Sequence, residues 1–144
     1  MPKERYKIIP AVYLILKKDN KICLSKRINT GYMDGYYSLI AGHVEINEKP
    51  SEAMIRETIE ESNLIVTEDD IKLSHIQYRN KPGRIDYFYI CENWKGELKN
   101  NEPDKCSELK FFEINNFPEN IVENVKIAIE NSLKSIPFSE FDNE

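Results

Sequence analysis

The chain has 144 residues, enough to bury one hydrophobic core and too few for two ordinary domains, so residues 1–144 are expected to form a single domain. With 40% hydrophobic and 31% charged residues, 5 Gly and 7 Pro, it lies outside the disordered, collagen-like and low-complexity classes. Lys and Arg number 20 against 25 Asp and Glu, a net charge of −5, which argues against a protein that coats nucleic-acid polymers.

Taken in chain order, Ala11 to Leu16 is apolar and β-prone, and the polar turn Lys17-Lys18-Asp19-Asn20 separates it from Ile22-Cys23-Leu24, which predicts a strand pair. Asn29 to Gly35 is rich in turn formers and leads into Tyr36 to Ile40, a short buried strand ending at Ala41-Gly42. Pro50 to Ser62 has no internal Gly or Pro; good helix formers follow a proline that fits the first turn, so a helix is predicted there. Ile71 to Tyr78 and Ile85 to Cys91 read as strands of a hairpin turning at Lys81-Pro82-Gly83. Residues 97–107 are polar and loop-like, Leu109 to Phe112 is a further apolar segment, and Ile121, Val122, Val125, Ile129 and Leu133 follow helical spacing, predicting a second helix over about 119–135. Strands on both sides of a helix, with another helix at the end, indicate a mixed α/β (α+β) domain.

Cys23, Cys91 and Cys106 form no CxxC or Cys/His cluster, the pattern of a reduced, cytoplasmic chain. The longest apolar run, residues 8–16, is about half a bilayer span, and the first residues lack a signal-peptide layout, so no membrane partner is expected.

The anomaly is the acidic stretch around the first helix. Between residues 45 and 61 there are six glutamates (45, 48, 52, 57, 60 and 61) against Lys49 and Arg56. At about 100° per residue, Glu57, Glu60 and Glu61 share one helix face, where like charges repel and the C-terminal end of the dipole disfavours anions. Ala53 and Leu64 project close to the same direction, so this face is expected to abut protein rather than water. Two readings follow from geometry. The face is either solvated, with Arg56 pairing to Glu52 and Glu60, or it is a hard-cation site for Mg²⁺ or Mn²⁺, which take oxygen ligands.

The upstream residues separate these readings. Gly42, five residues, Glu48, seven residues, then Arg56-Glu57-Thr58-Ile59-Glu60-Glu61-Ser62-Asn63-Leu64 closely resembles the Nudix box, GX5EX7REUXEEXGU with U aliphatic, spanning 42–64. Thr58 stands at the aliphatic place and Asn63 replaces the second glycine; neither change removes a charge. Asn is the best substitute where a helix ends in a left-handed residue, so the site is expected to be intact.

The resemblance implies a Nudix fold, a mixed β-sheet sandwiched between helices, and metal-dependent hydrolysis, with Mg²⁺ or Mn²⁺, of a nucleoside diphosphate linked to another group. The leading expectation is a MutT-like pyrophosphohydrolase that converts a nucleoside triphosphate to a monophosphate and pyrophosphate. The alternatives are an ADP-ribose, nucleotide-sugar or dinucleotide polyphosphate pyrophosphatase and, from another class, a non-catalytic nucleotide-binding module. By position in the motif, Glu60 and Glu61 are the main metal ligands, Glu57 a further ligand or the base, and Glu48 an additional ligand or orienting group. Arg56 holds Glu57 or Glu48 in orientation, and a backbone carbonyl at Ala41 or Gly42 joins the metal shell. Related enzymes add a carboxylate from a later loop, for which Glu102, Asp104 and Glu108 are all candidates. Lys26 and Arg27 are candidates for phosphate contacts, Asn120 for a base edge, and Tyr32, Tyr36, Phe88 and Phe111 for stacking. His43 is read as structural before phosphate-binding, His75 as a strand residue without a partner, and Trp94 as packing. The partner is a small nucleotide, the assembly a monomer or homodimer.

Overall fold

The computed structural model describes residues 3–143. Its spine is strand β1 (Ile9–Lys18), whose residues alternate between two cores, because successive side chains leave opposite faces of a strand. Val12, Leu14 and Leu16 join one cluster and Ile15 the other, all fully buried. β2 (Lys21–Arg27) follows across the polar turn, where Asp19 takes a positive φ of 55°. The expected β1–β2 pair exists only at its tip, Lys17 with Ile22 and Lys18 with Lys21. Farther back that edge of β1 is taken by β4 (Ile40–His43), antiparallel from Ala11–His43 to Leu14–Ile40. β2 diverges and pairs instead with β3 (Tyr37–Ser38) and with β7 (Cys106–Glu113). The single strand expected over 36–40 is thus two short ones, each serving a different neighbour.

Helix α1 (Pro50–Ser62) has the predicted ends. Asn63 ends it at φ 66°, ψ 4°, donating its backbone N–H to Ile59 O at 3.1 Å, the left-handed stop that Asn tolerates. Thr58, at the aliphatic place of the motif, is fully buried and returns its hydroxyl to Met54 O at 2.6 Å, so its polarity is satisfied within the helix. β5 (Ile71–Arg79) and β6 (Arg84–Cys91) form the expected hairpin, and β6 runs parallel to β1 from Arg84–Ile9 to Cys91–Leu16.

Helix α2 (Glu123–Leu133) is shorter than the expected 119–135. Residues 120–122 before it bridge to Tyr37 instead, Asn120 O accepting from Tyr37 N–H at 2.8 Å and Val122 N–H donating to Tyr37 O at 2.9 Å. Periodicity counted Ile121 and Val122 into the helix because an extended anchor buries apolar residues too. An unexpected strand, β8 (Phe138–Phe141), runs parallel to β5. The strand order β3-β2-β1-β6-β5-β8, with β4 beside β1 and β7 beside β2, makes one mixed sheet. α1 contributes Ala53 and Met54 to one core and α2 contributes Val125, Ala128 and Ile129 to the other, so the sheet lies between the helices.

Phe88 is fully buried and stacked on Tyr13 with ring centroids 4.6 Å apart; it belongs to the core, which corrects its candidacy for base stacking. His75 is also corrected: its ring nitrogens lie 2.7 Å from Ile136 O and 2.7 Å from Ser139 Oγ, partners supplied by the unforeseen β8 region. Trp94 packs on Phe111, ring centroids 6.3 Å apart. All three cysteines are free and buried. No helix among the described residues is long and apolar enough to cross a membrane.

Candidate functional site

Arg56 organises the acidic face. Its Nε and Nη2 donate to the two oxygens of Glu48 at 2.8 and 3.0 Å, and its Nη1 donates to Glu57 Oε1 at 2.7 Å and Glu60 Oε2 at 3.3 Å. Nη2 also reaches His43 O at 3.1 Å, tying the helix to the end of β4. Four glutamates surround this guanidinium once Glu45 at 3.5 Å is included. Glu52 is not among them; it accepts from Lys49 N–H at 2.8 Å at the start of the helix. The fork geometry is the strong, charge-assisted kind. Hydrogen bonding from Arg56 holds the Glu48 carboxyl down at about 2.

Arg56 does not reach Glu61. Glu57, Glu61 and Glu102 line a cleft of about 180 Å³ together with Ala41 and Arg27. Although part of the Glu61 residue remains accessible, its Oε2 is buried without a hydrogen-bond partner, the one such side-chain oxygen or nitrogen among the described residues. Burial first, then the neighbouring Glu57 and Glu102, raises the Glu61 carboxyl well above its ordinary value. Burial and Glu57 also raise Glu102. A carboxylate costs least where something stabilises its charge; Arg56 serves Glu57 and Lys105 favours ionised Glu102, whereas no described cation stabilises Glu61.

Two local features place this cleft. Gly42 lies where a Cβ would overlap the Glu57 carboxylate, so the absence of a side chain admits the close approach of α1 to β4. The loop before β7 ties itself to the end of α1, where helix carbonyls lack partners. Lys99 N–H donates to Ser62 O at 2.9 Å, and Asn101 donates from its backbone to Glu61 O at 3.1 Å and from its side chain to Ile59 O at 3.2 Å. These bonds carry Glu102 to Glu61. Asp104 does not line the cleft, and Glu108 instead accepts from the Tyr37 hydroxyl at 2.7 Å and pairs with Lys110 at 2.9 Å. A sequence signal for the loop is the Asn100-Asn101 pair: Asn101 bonds a helix-end carbonyl and Asn100 closes the loop on Cys106 O at 2.6 Å.

Glu48 and Glu60 sit on the Arg56 side and do not line the cleft; the Glu60 side chain is half-exposed. Arg27 lines the cleft and also a larger adjoining cavity of about 510 Å³, which shares Ala41 and reaches Tyr13, Tyr32 and the β5–β6 hairpin. Its guanidinium lies 5.5 Å from the Tyr32 ring centroid, and its Nε donates to Tyr32 O at 2.8 Å. His43 is exposed on the cavity rim. Lys26 leaves the opposite face of β2, over the Tyr37 ring at 5.7 Å. Asn120 gives its side-chain amide to Gly35 O at 2.7 Å. Neither residue lines the cleft or the cavity, and nor do Tyr36 and Phe111.

The donor set fits a hard divalent cation: three carboxylates, all oxygen, with one oxygen buried and partnerless. Among the described residues no three His, Cys, Asp or Glu side chains are gathered closely enough to hold a metal ion as they stand, so Glu57, Glu61 and Glu102 share the cleft without converging on one point. An ion held here would complete its shell with water and phosphate oxygens, as Mg²⁺ commonly does.

The NUDIX domain family model matches residues 7–131. An ADP-ribose pyrophosphatase of Methanocaldococcus jannaschii is 36% identical over 135 residues, covering 88% of this chain and 76% of the relative. The NAD-capped RNA hydrolase NudC of Vibrio cholerae is 29% identical over 114 residues, covering 78% of this chain, which spans only 40% of that relative. The crystal structure of a MutT NUDIX hydrolase from Burkholderia pseudomallei superposes with a TM-score of 0.79 at 22% identity, covering 87% of this chain and 98% of that one. That likeness establishes the fold.

Proposed function

The chain belongs to the NUDIX hydrolase family and is a pyrophosphohydrolase, and from that premise we propose that its carboxylate cleft cleaves the anhydride of a nucleoside diphosphate joined to a second group, with ADP-ribose the first substrate to test. The observation that carries this reading is the buried, partnerless Glu61 oxygen set between Glu57 and Glu102. The relative that shares 36% identity over most of the chain favours ADP-ribose over the nucleoside triphosphate of the sequence reading. The adjoining cavity supports it as well, since a substrate with two bulky ends needs room beyond the cleft.

Members of the family generally use divalent ions such as Mg²⁺ or Mn²⁺. Here Glu57, Glu61 and Glu102 would hold the ion, with a backbone carbonyl at Ala41 or Gly42; once bound, it neutralises the diphosphate and polarises its oxygens. Glu57, fixed by Arg56 at 2.7 Å, holds or takes the proton of the attacking water. Arg56 and Glu48 keep that carboxylate from rotating away, and Arg27 offers a cation where the cleft meets the cavity. Water oxygen bonds to phosphorus as the bridging P–O bond breaks, and the departing phosphate leaves with its electron pair.

The test is product analysis with ADP-ribose, a nucleoside triphosphate panel and dinucleotide polyphosphates, each with Mg²⁺ and with chelator. AMP and ribose 5-phosphate from ADP-ribose, lost in chelator and in Glu57→Gln, are expected. Turnover indifferent to both would overturn the assignment of the cleft, whereas metal-dependent turnover of triphosphates alone would restore the substrate expected from sequence.

A further inference from the structure

Although the chain has a net charge of −5, the larger cavity has Arg27, Arg79, Lys81 and Arg84 in its wall and, among the described residues, no acidic one. Arg79 is held most firmly. It is 5% exposed, and its Nε and Nη2 donate to the two oxygens of fully buried Asp86 at 2.7 and 3.3 Å. Among the described residues its Nη1 has no hydrogen-bond partner, yet Glu61 Oε2 is the one partnerless side-chain polar atom there that is fully shut from solvent. Nη1 is therefore a donor at the cavity surface, in a guanidinium that Asp86 keeps from moving.

Arg84 stands directly opposite Arg79 across the β5–β6 pair, where like charges destabilise a hairpin. Asp86 answers Arg79, but Arg84 makes no ion pair with a carboxylate among the described residues. Its Nη1 instead lies 3.5 Å from His43 Nε2 on the rim. Lys81 meets Asp142 only at 3.5 Å, with both side chains largely exposed, so little of its charge is cancelled. A concave wall with one sign of charge and a buried floor focuses its field inward. The diphosphate has the carboxylate cleft, its cation and Arg27; the hairpin cations lie beyond it.

We propose that this cavity is a second anion subsite, with Arg79 as its fixed donor and Arg84 and Lys81 as its further cations, and that it takes a phosphate of the substrate beyond the two of the cleaved anhydride. The inference deepens the function proposed above and rests on it for the chemistry, though not for binding. Two molecules supply such a phosphate: the third phosphate of a nucleoside triphosphate, or a phosphate ester on the sugar of an ADP-ribose-like substrate.

The experiment is calorimetric titration of the whole chain in chelator, where hydrolysis plays no part. ATP is compared with ADP, and ADP-ribose 2′-phosphate with ADP-ribose. The extra phosphate is expected to tighten binding about tenfold in at least one pair, as a charge-assisted fork to phosphate should, and the pair that responds identifies the source. Arg84→Gln should remove the difference, so that both members bind alike, and Arg84→Lys should restore most of it. Arg84 is partly exposed, so these variants keep the fold, whereas replacing Arg79 alone would strand buried Asp86. No difference in either pair, or a difference that survives Arg84→Gln, overturns the proposal. Absence of turnover in the product assay would leave these binding results standing.

Discussion

Replacing Glu61 by Gln should stabilise the metal-free protein and remove its response to Mg²⁺. The amide is nearly isosteric, carries no charge, and can donate to Glu57, which now lies beside the partnerless Oε2. Leaving a buried polar group unsatisfied costs about 1–3 kcal/mol. Relief of about 2 kcal/mol, at roughly 3–4 °C per kcal/mol for a chain of this length, raises Tm by about 7 °C in chelator. The sign of the pH dependence follows from the raised carboxyl. The folded state holds the Glu61 proton more tightly than the unfolded chain, whose carboxyl titrates near its ordinary 4.5. Wild-type stability in chelator should therefore fall as pH rises above that value, by up to about 1.4 kcal/mol per unit. It levels off once the folded-state carboxyl has ionised. The variant should lack this slope. Saturating Mg²⁺ reverses the ranking: at a hundred times its Kd a ligand adds about 2.7 kcal/mol to wild type, and the variant should gain little. Thermal melts at several pH values, with chelator and with Mg²⁺, give all three comparisons. A variant less stable than wild type in chelator, or an equal gain from Mg²⁺, would refute the reasoning.

Gly42→Ala should drive the Glu57 carboxylate from its place, lowering kcat about tenfold or more while costing about 1–3 kcal/mol of stability, measured by steady-state kinetics alongside urea unfolding. The Glu48 carboxyl, held at about 2 by Arg56, adds stability that is complete above the ordinary 4.5 and is lost as pH falls toward 2; Glu48→Gln should flatten that part of the acid-unfolding curve relative to wild type. Asn63→Gly should be neutral or mildly stabilising and Asn63→Ala should cost about 1 kcal/mol, because the left-handed φ of 66° suits Gly and Asn; equal melting temperatures would refute this account of the helix stop.

Local order was legible in the sequence where one segment carries its own signal. The boundaries of α1 followed from Pro50, the good formers after it and Asn63, and the β5–β6 hairpin from its Pro-Gly turn. The motif spacing named the acidic residues, since helix periodicity alone sets which of them share a face. What failed were segments whose form depends on distant partners. Residues 120–122 stay out of the helix because they bond along Tyr37, β8 exists because it has β5 to pair with, and His75 has partners because β8 is there. The site divides the same way. Six glutamates could be counted between residues 45 and 61, but only the fold separates those answered by Arg56 from Glu61, which is not. Only the fold brings Glu102 to that cleft in preference to Asp104 or Glu108, because the choice rests on which helix carbonyls the loop amides reach. Motif spacing and side-chain type lie in one stretch of chain and were enough for the family and for which acidic residues share a helix face; which carboxylate is buried without a cation, and which cations gather in the neighbouring cavity, are tertiary facts, because burial and distance belong to elements far apart in the chain.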